Sequence, residues 1–418
     1  MTGPLPTDVV DLGVVGGGPA GSAAAITAAR AGRRVVLVDK ARFPRDKCCG
    51  DGLTTGALRH LEALGLDPGA VRSWQPIDDV VLRSPSGRTV TVSLPRGQGR
   101  YAAVAGRVDL DAALLDRARA VGVEVHEGAA CTGVTPGPDQ VGLTVDGGRE
   151  LRARYVVAAD GMWSPVRKAV GAAVPGYRGE WHAFRQYVRA TTPASRRLWV
   201  WFEPDLLPGY AWSFPLPGGV VNVGFGIQRR GGGVGPDDRV QDMAATWRHL
   251  LARPHVAAVL GADATVEGNH RAWPIPARVT GLALTAGRVL FVGDAAAATD
   301  PATGEGIGQA LLTGALAARA LGDGPVPADA AAVTDRYEAD VLAALAADHR
   351  MSAVLTTILG HRAGAATAIR LAGLTPWTRR NFARWLFEDY PRALALTPRR
   401  WHRRMFTGPG AYRDDFAA

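Results

Sequence analysis

The feature that most constrains this chain is Gly16-Gly-Gly18-Pro-Ala-Gly21, because three glycines at that spacing carry meaning only between a strand and a helix. Both neighbours are predicted. Leu12-Gly-Val-Val15 is an apolar run suited to a buried strand, and Ser22 to Ala31 is helical in pattern. In that setting Gly16 allows the tight turn, Gly18 lets backbone approach a pyrophosphate, and Gly21 lets helix and strand pack closely. Phosphates then sit at the positive end of the helix. A second strand, Arg34-Val-Val-Leu-Val38, ends in Asp39, about where a carboxylate accepts hydrogen bonds from an unphosphorylated adenosine ribose. The pattern predicts a dinucleotide site and leaves NAD and FAD equally open.

Composition narrows the class. The 418 residues suffice for two or three cooperating subdomains, and 47% hydrophobic content fits a globular protein. Three cysteines, two of them adjacent, cannot build a disulfide framework, and paired zinc spacing is missing, so no metal site is expected. A reducing cytoplasm is the expected compartment. Met1 to Val15 lacks a basic start and is interrupted by Asp11, which argues against a secretion signal. The longest apolar candidate, Ile307 to Ala318, falls short of the roughly 20 residues needed to span a bilayer. A net charge of +9 suits anionic lipid or an anionic ligand; no motif supports nucleic acid, which is not an expected partner.

Two further segments decide between the cofactors. Tyr155-Val-Val-Ala-Ala-Asp160-Gly161 is a strand ending in Asp-Gly, with Ser164 and Arg167 at the helical start that follows. Arg288-Val-Leu-Phe-Val-Gly293-Asp294 is another strand, leading through Pro301-Ala-Thr-Gly304-Glu-Gly306-Ile307-Gly308 into a helix. Together with the glycine fingerprint they resemble the FAD-dependent oxidoreductases of the para-hydroxybenzoate hydroxylase-like superfamily, in which three such segments hold one extended FAD. The resemblance implies that Asp294 accepts hydrogen bonds from the ribityl chain and that the Gly304 to Gly306 backbone approaches the isoalloxazine, where donors stabilise the charge of reduced flavin. It assigns Lys40, Gly293 and Ile307 to the cofactor as well, and places Asp160 near the pyrophosphate as an organiser of the fold. Arg107 either binds the FAD phosphates or is a surface arginine beginning a helix capped by Asp109.

Arg42-Phe-Pro-Arg45-Asp46-Lys47-Cys48-Cys49-Gly50-Asp51-Gly52-Leu53 follows the Asp39 strand and turns along the cofactor. It resembles the Pro-Arg-Asp-Lys-x-Cys-Gly-Asp-Gly-Leu segment of the geranylgeranyl reductase family, with Cys49 on the family cysteine. Pro208-Gly-Tyr210-Ala-Trp212-Ser-Phe214-Pro215 resembles the same family's Pro-x-x-Tyr-x-Trp-x-Phe-Pro segment, on a substrate-domain sheet facing the flavin. Strand alternation puts Tyr210, Trp212 and Phe214 on one face, either as the wall of an apolar pocket or as sheet core. Thr54-Thr55-Gly56-Ala57 departs from the Thr-Pro-Arg/Lys-Ala often found after the family's Gly-Asp-Gly-Leu, which leaves substrate identity open.

The implied reaction is reduction of carbon-carbon double bonds in a prenyl chain. Reduced flavin delivers hydride from N5, and an unactivated alkene also needs a proton donor within reach. Cys49 is the candidate, its thiol mostly protonated at neutral pH; otherwise it is a small buried thiol beside the cofactor. Asp51 needs strong desolvation to serve. A Cys48–Cys49 vicinal disulfide is a lesser alternative. With one nucleotide fingerprint in the chain, electrons are expected from transiently bound NAD(P)H, a ferredoxin or another reductase. Rival readings are a flavin monooxygenase on the same scaffold and a flavoprotein electron carrier. Halogenation is disfavoured, because halogenases of the superfamily carry Trp-x-Trp-x-Ile-Pro.

The expected fold class is α/β, with a Rossmann-like FAD-binding domain (8–75, 101–175 and 270–335), an inserted α+β substrate domain (76–100 and 176–269) and a C-terminal helical basic region (336–418). Strands are expected over Arg197 to Phe202 and Val220 to Ile227. The last region gathers Arg379, Arg380, Arg384, Arg392, Arg399, Arg400, Arg403 and Arg404 among Trp377, Trp385, Leu386, Trp401 and Phe406. Such a mixture predicts either peripheral contact with anionic membrane or a solvated basic face.

Overall fold

The structure, a computed structural model, describes residues 4–235, 237, 240, 242–394, 397–398, 401 and 408–413. Its first sheet grows from apolar runs that are buried on both faces, as parallel strands require. Val289–Phe291, Arg149–Ala158, Val10–Val15, Val35–Asp39 and Glu124–Glu127 lie side by side in that order, all parallel. Thr285–Ala286 adds an antiparallel edge, and Val141–Val145 with Cys131–Pro136 forms an antiparallel flap on the Arg149–Ala158 strand. The glycine fingerprint leaves the end of Val10–Val15 and enters helix Pro19–Arg30. That helix begins three positions before the predicted Ser22, because Pro19 fits the first turn, where no N–H partner is needed.

Helix Ile307–Ala320 packs against Pro19–Arg30 along small residues. A Cβ on Gly314 would sit 2.1 Å from the Ala20 carbonyl oxygen, so the two backbones touch there. Gly21 is equally constrained, since its Cβ would come within 1.8 Å of the Gly16 oxygen.

The second sheet has seven strands, in the order Thr265–Ile275, Trp181–Arg189, Val220–Gln228, Ala211–Pro215, Leu198–Trp201, Asp79–Arg83 and Thr89–Ser93. All neighbours are antiparallel except Leu198–Trp201 beside Asp79–Arg83. The two strands predicted near 197–202 and 220–227 are present with ends shifted by a residue or so. The outer strand runs on to Ile275, past the boundary expected at 270. One face of the sheet packs on helices Met243–Leu251 and Pro254–Leu260, with Phe184, Trp201 and Phe225 at the centre of that core.

Helices Ala330–Leu359, Arg362–Ala372 and Pro376–Leu386 make up the helical C-terminal region. Among the described residues, Ala330–Leu359 is long and apolar enough to cross a membrane, a helix the sequence reading passed over in favour of Ile307 to Ala318. It packs Val333, Tyr337, Val341 and Leu345 into the core of the first sheet, at helical spacing.

Replacing Gly314 by Val should force the two helices apart and cost about 2–3 kcal/mol. Thermal denaturation read by flavin release should show a lower midpoint for Gly314→Val, whereas Ala332→Val, at an exposed position of the Ala330–Leu359 helix, should change it far less.

Candidate active site

The two sheets and the C-terminal helices enclose a cavity of about 880 Å³. Its first end is the glycine turn. Gly16 has φ +108°, and a Cβ there would meet the Ala159 oxygen at 2.4 Å, so glycine is required. Asp39 is buried and accepts the Gly17 N–H at 2.6 Å and the Ala41 N–H at 2.7 Å. Asp160 accepts the Val166 N–H at 2.9 Å, at the start of a short helix, while its Oδ1 is buried without a partner.

Two guanidinium groups face the same turn. A Cβ on Gly18 would lie 3.5 Å from Arg45 Nη2 and 3.7 Å from Arg107 Nη2. Arg107 is buried, which removes the surface-arginine alternative. It opens helix Arg107–Ala120 with Gly106 as the N-cap, while Asp109 falls inside the first turn and is not the cap. Asp111, one turn on, accepts from Arg107 Nε and Nη2 at 2.7 Å each and lies 3.0 Å from Arg45 Nη1. The sequence does not single out this carboxylate, which balances one buried and one half-buried cation.

In the middle of the cavity Lys47 stacks over Trp273, 4.3 Å from the ring centroid, and approaches Asp294 at 3.9 Å. Burial holds the Lys47 amine below its ordinary pKa, opposed by the Asp294 charge. Lys40, Gly293, Gly304, Gly306 and Ile307 line the same space. Of the cofactor residues expected from sequence, only Gly21 lies off the cavity wall, where it serves the packing described above.

The far end joins the two reductase-like motifs. Tyr210, Trp212 and Phe214 all face the cavity, and with Phe202 they form a row whose neighbouring ring centroids are 6.0 Å apart. The cysteine loop lies on that row. Position 52 must be small, because a Cβ there would meet the Phe214 ring at 3.0 Å, while Gly50 lies in ordinary contact range of the same ring. Asn222, fully buried on the adjacent strand, donates to the Cys49 carbonyl at 2.8 Å and to Asp51 Oδ2 at 2.7 Å, and accepts from Trp212 Nε1 at 3.0 Å. Tyr187 donates its hydroxyl to the same Asp51 oxygen at 2.8 Å. Asp46, on the same loop, pairs with Arg185 of the second sheet and with Arg271 at 2.6 Å. Beyond the aromatic row the lining becomes aliphatic, with Leu355, Leu359, Ile369 and Phe382 contributed by the C-terminal helices.

Cys48 and Cys49 are free thiols. Burial pushes Cys48 up to about 12 and raises Cys49 as well, against the nearby Arg107 charge, so both remain protonated at neutral pH. Burial also lifts Asp51 to about 6, with the Asn222 and Tyr187 hydrogen bonds acting in the other direction. Asp51 sits at φ +65°, a strained value for a residue with a side chain, and is held there by these partners.

The fold and the glycine cradle define a dinucleotide-binding flavoprotein, and buried Arg107 with half-buried Arg45 beside the glycine turn suits a pyrophosphate-linked cofactor. The FAD binding domain family matches residues 7–340, and the chain belongs to it. It is 35% identical over 339 residues to a menaquinone reductase of Mycobacterium tuberculosis, covering 75% of this chain and 77% of that one. It is 32% identical over 330 residues to digeranylgeranylglycerophospholipid reductase 2 of Methanopyrus kandleri, covering 73% and 75%. Among solved structures, a geranylgeranyl bacteriochlorophyll reductase-like protein from Thermoplasma acidophilum shares the fold, with TM-score 0.75, 20% identity, and 94% of this chain and all of that one covered. The protein is an FAD-dependent oxidoreductase of the geranylgeranyl reductase type.

A carboxyl group with a pKa higher in the folded state than its unfolded value near 4 binds its proton more tightly when folded. Its stabilising share is therefore fully present below about pH 4 and is lost as pH rises through about 6. Asp51→Asn should abolish this dependence, up to about 3 kcal/mol. Melting midpoints at stepped pH should show wild type losing ground to Asp51→Asn across that window.

Proposed function

We propose that the protein reduces carbon-carbon double bonds of a prenyl chain on an apolar lipid or quinone. The observation that carries this reading is the contact of the cysteine loop with the aromatic row, locked by Asn222. Two sequence segments of the same reductase character meet at one cavity, and the menaquinone and digeranylgeranyl lipid reductases are similar over about three quarters of the chain.

Bound FAD would supply hydride chemistry, held at its phosphates by the Gly16 to Gly21 turn and Arg107, at its ribose by Asp39, and farther along by Lys40, Asp160, Gly293, Asp294 and the Gly304 to Ile307 segment. The protein's own contribution lies around it. Tyr210, Trp212 and Phe214 give an extended alkene a flat apolar wall and keep water from it. Cys49 holds a proton at its sulfur, because burial favours the neutral thiol, and gives it to the carbon beside the one that receives hydride. Asp51 and Asn222 fix the loop that carries this thiol. Electrons come from a visiting donor, either NAD(P)H or a carrier protein such as ferredoxin.

The C-terminal helices suggest how such a substrate arrives. From 349 to 387 the chain has no Asp or Glu, while Arg350, Arg362, Arg370, Arg379 and Arg380 are exposed among Val354, Ile358, Leu371, Leu374 and Trp377. Other faces of these helices line the aliphatic end of the cavity. This favours docking on an anionic bilayer, with the prenyl chain passing between the helices. The basic set differs from the one expected. Arg384 and Arg392 are buried in ion pairs with Asp389 and with Asp300 and Glu388, so they do not belong to a surface patch. Arg399, Arg400, Arg403, Arg404 and Phe406 lie outside the described residues.

Cys49→Ser should keep its flavin and lose about 10²–10⁴-fold in alkene reduction, since a serine hydroxyl is a far weaker acid. Anaerobic turnover of menaquinone and geranylgeranyl lipids, followed by mass spectrometry, reads the loss; full activity in this variant would remove Cys49 from the mechanism. Wild type should float with anionic vesicles and not with neutral ones, and Trp377→Glu with Leu374→Glu should cut flotation about tenfold or more.

A further inference from the structure

A second cavity, of about 330 Å³, lies behind the Gly304 to Gly308 segment. Half-buried His60, Leu312 and Asp348 stand in its wall, and its volume accommodates several waters at about 30 Å³ each. Arg392 belongs to the linings of both cavities. Its side chain is buried, lies 3.1 Å from Asp300 Oδ2 and 3.3 Å from Glu388 Oε1, donates to Thr303 Oγ1 at 3.2 Å, and keeps Nη1 unpartnered. Glu388 also accepts from Gln309 at 2.9 Å and from Thr54 at 3.1 Å, and is held at φ +55° by these contacts. On the other side Glu305 lines the large cavity, between Gly304 and Gly306, and accepts the Gly308 N–H at 2.8 Å.

We propose that Glu305 and Glu388, linked through Thr303 and Arg392, form a proton store that loads from the second cavity when flavin in the large cavity is reduced. The proposal rests on FAD occupying the large cavity with its ring beside Gly304 to Gly306. Asp300 and Glu388 share the Arg392 guanidinium, and the Thr303 hydroxyl that accepts from Arg392 also accepts the Glu305 N–H at 3.3 Å, so three carboxyl groups gather near one cation, an arrangement that favours one of them keeping a proton. Asp300 is the poorest candidate, being saturated by Ser352 at 2.7 Å, Thr303 Oγ1 at 2.9 Å and two backbone N–H groups. Burial and the Glu388 charge push Glu305 up to about 8, and burial raises Glu388 as well. The remaining groups facing the pair do not supply that proton at neutral pH. His60, close to Arg59 and Arg319, is lowered to about 4 by burial, and His349 is lowered by burial too; Tyr210 is raised. Asp348 accepts the Ala393 N–H, and Asp389 pairs with Arg59 and Arg384.

Bound FAD reduced by a two-electron donor would take up two electrons and one proton, leaving one added negative charge in the large cavity. That new negative charge raises the proton affinity of the Glu305 pair. A second proton then moves from water in the second cavity onto a carboxylate, where it can replace the one lost from the thiol during turnover.

The test uses full-length FAD-loaded protein with no prenyl substrate, reduced anaerobically by light in weak buffer from about pH 8 upward, with a pH indicator counting protons. Wild type should take up more than one proton per flavin. Glu305→Gln, which keeps the acceptor for Gly308, should take up only the single flavin proton. Glu388→Gln, which removes the neighbouring negative charge, should move the extra uptake to lower pH. One proton per flavin in wild type, or unchanged extra uptake in Glu305→Gln, overturns the store. Either result leaves flavin binding intact, since that is read from the yellow colour, and failure to bind flavin would instead overturn the cofactor reading.

Discussion

Asn222 is the side chain on which the arrangement depends. It is fully buried, and its amide spans the joint between the two sheets, giving one N–H to the Cys49 carbonyl and one to Asp51 while accepting from Trp212. A buried amide with its groups satisfied is rigid, because breaking any one bond leaves a polar atom in a place water cannot reach. The cysteine loop, which leaves the nucleotide-binding sheet, is thereby fixed against a strand of the second sheet. Asp46 strengthens the same joint through Arg185 and Arg271.

That joint separates two environments within one cavity. Toward the glycine turn the walls carry Arg45, Arg107, Asp39 and Asp160, suited to phosphate and ribose; beyond Cys49 they are aromatic and then aliphatic. An extended cofactor and an extended apolar chain can therefore meet end to end at the thiol. Arg107 serves both sides, since it faces Gly18 and its charge also bears on Cys49. Burial outweighs that charge and keeps the thiol protonated.

The nucleotide half was legible in sequence because its chemistry is written in contiguous residues. Gly16, at φ +108°, and Gly21, whose Cβ would meet the Gly16 oxygen, need glycine for backbone reasons that a short window contains, and the aromatic alternation at Tyr210, Trp212 and Phe214 is equally local. What escaped was long-range. Nothing near Asn222 marks it as the partner of Cys49, and nothing near Glu388 or Arg392 says that they return to Gln309 and Thr303, on either side of the Gly304 to Gly308 segment. Arginines at 384 and 392 resemble those at 379 and 380 in composition, yet burial and acidic partners make the first pair structural while the second faces solvent. Asp51 shows the same limit: its desolvation is created by the Asn222 strand and Tyr187, both far along the chain.

Mass spectrometry of organic extracts from cells with and without this protein tests most directly whether it adds hydrogen to an isolated double bond of a lipid chain. The expected result is a prenyl lipid or quinone whose mass rises by two hydrogens per reduced bond only when the protein is present. An oxygen-containing product in its place, or identical prenyl profiles in cells that make the yellow protein, would contradict it.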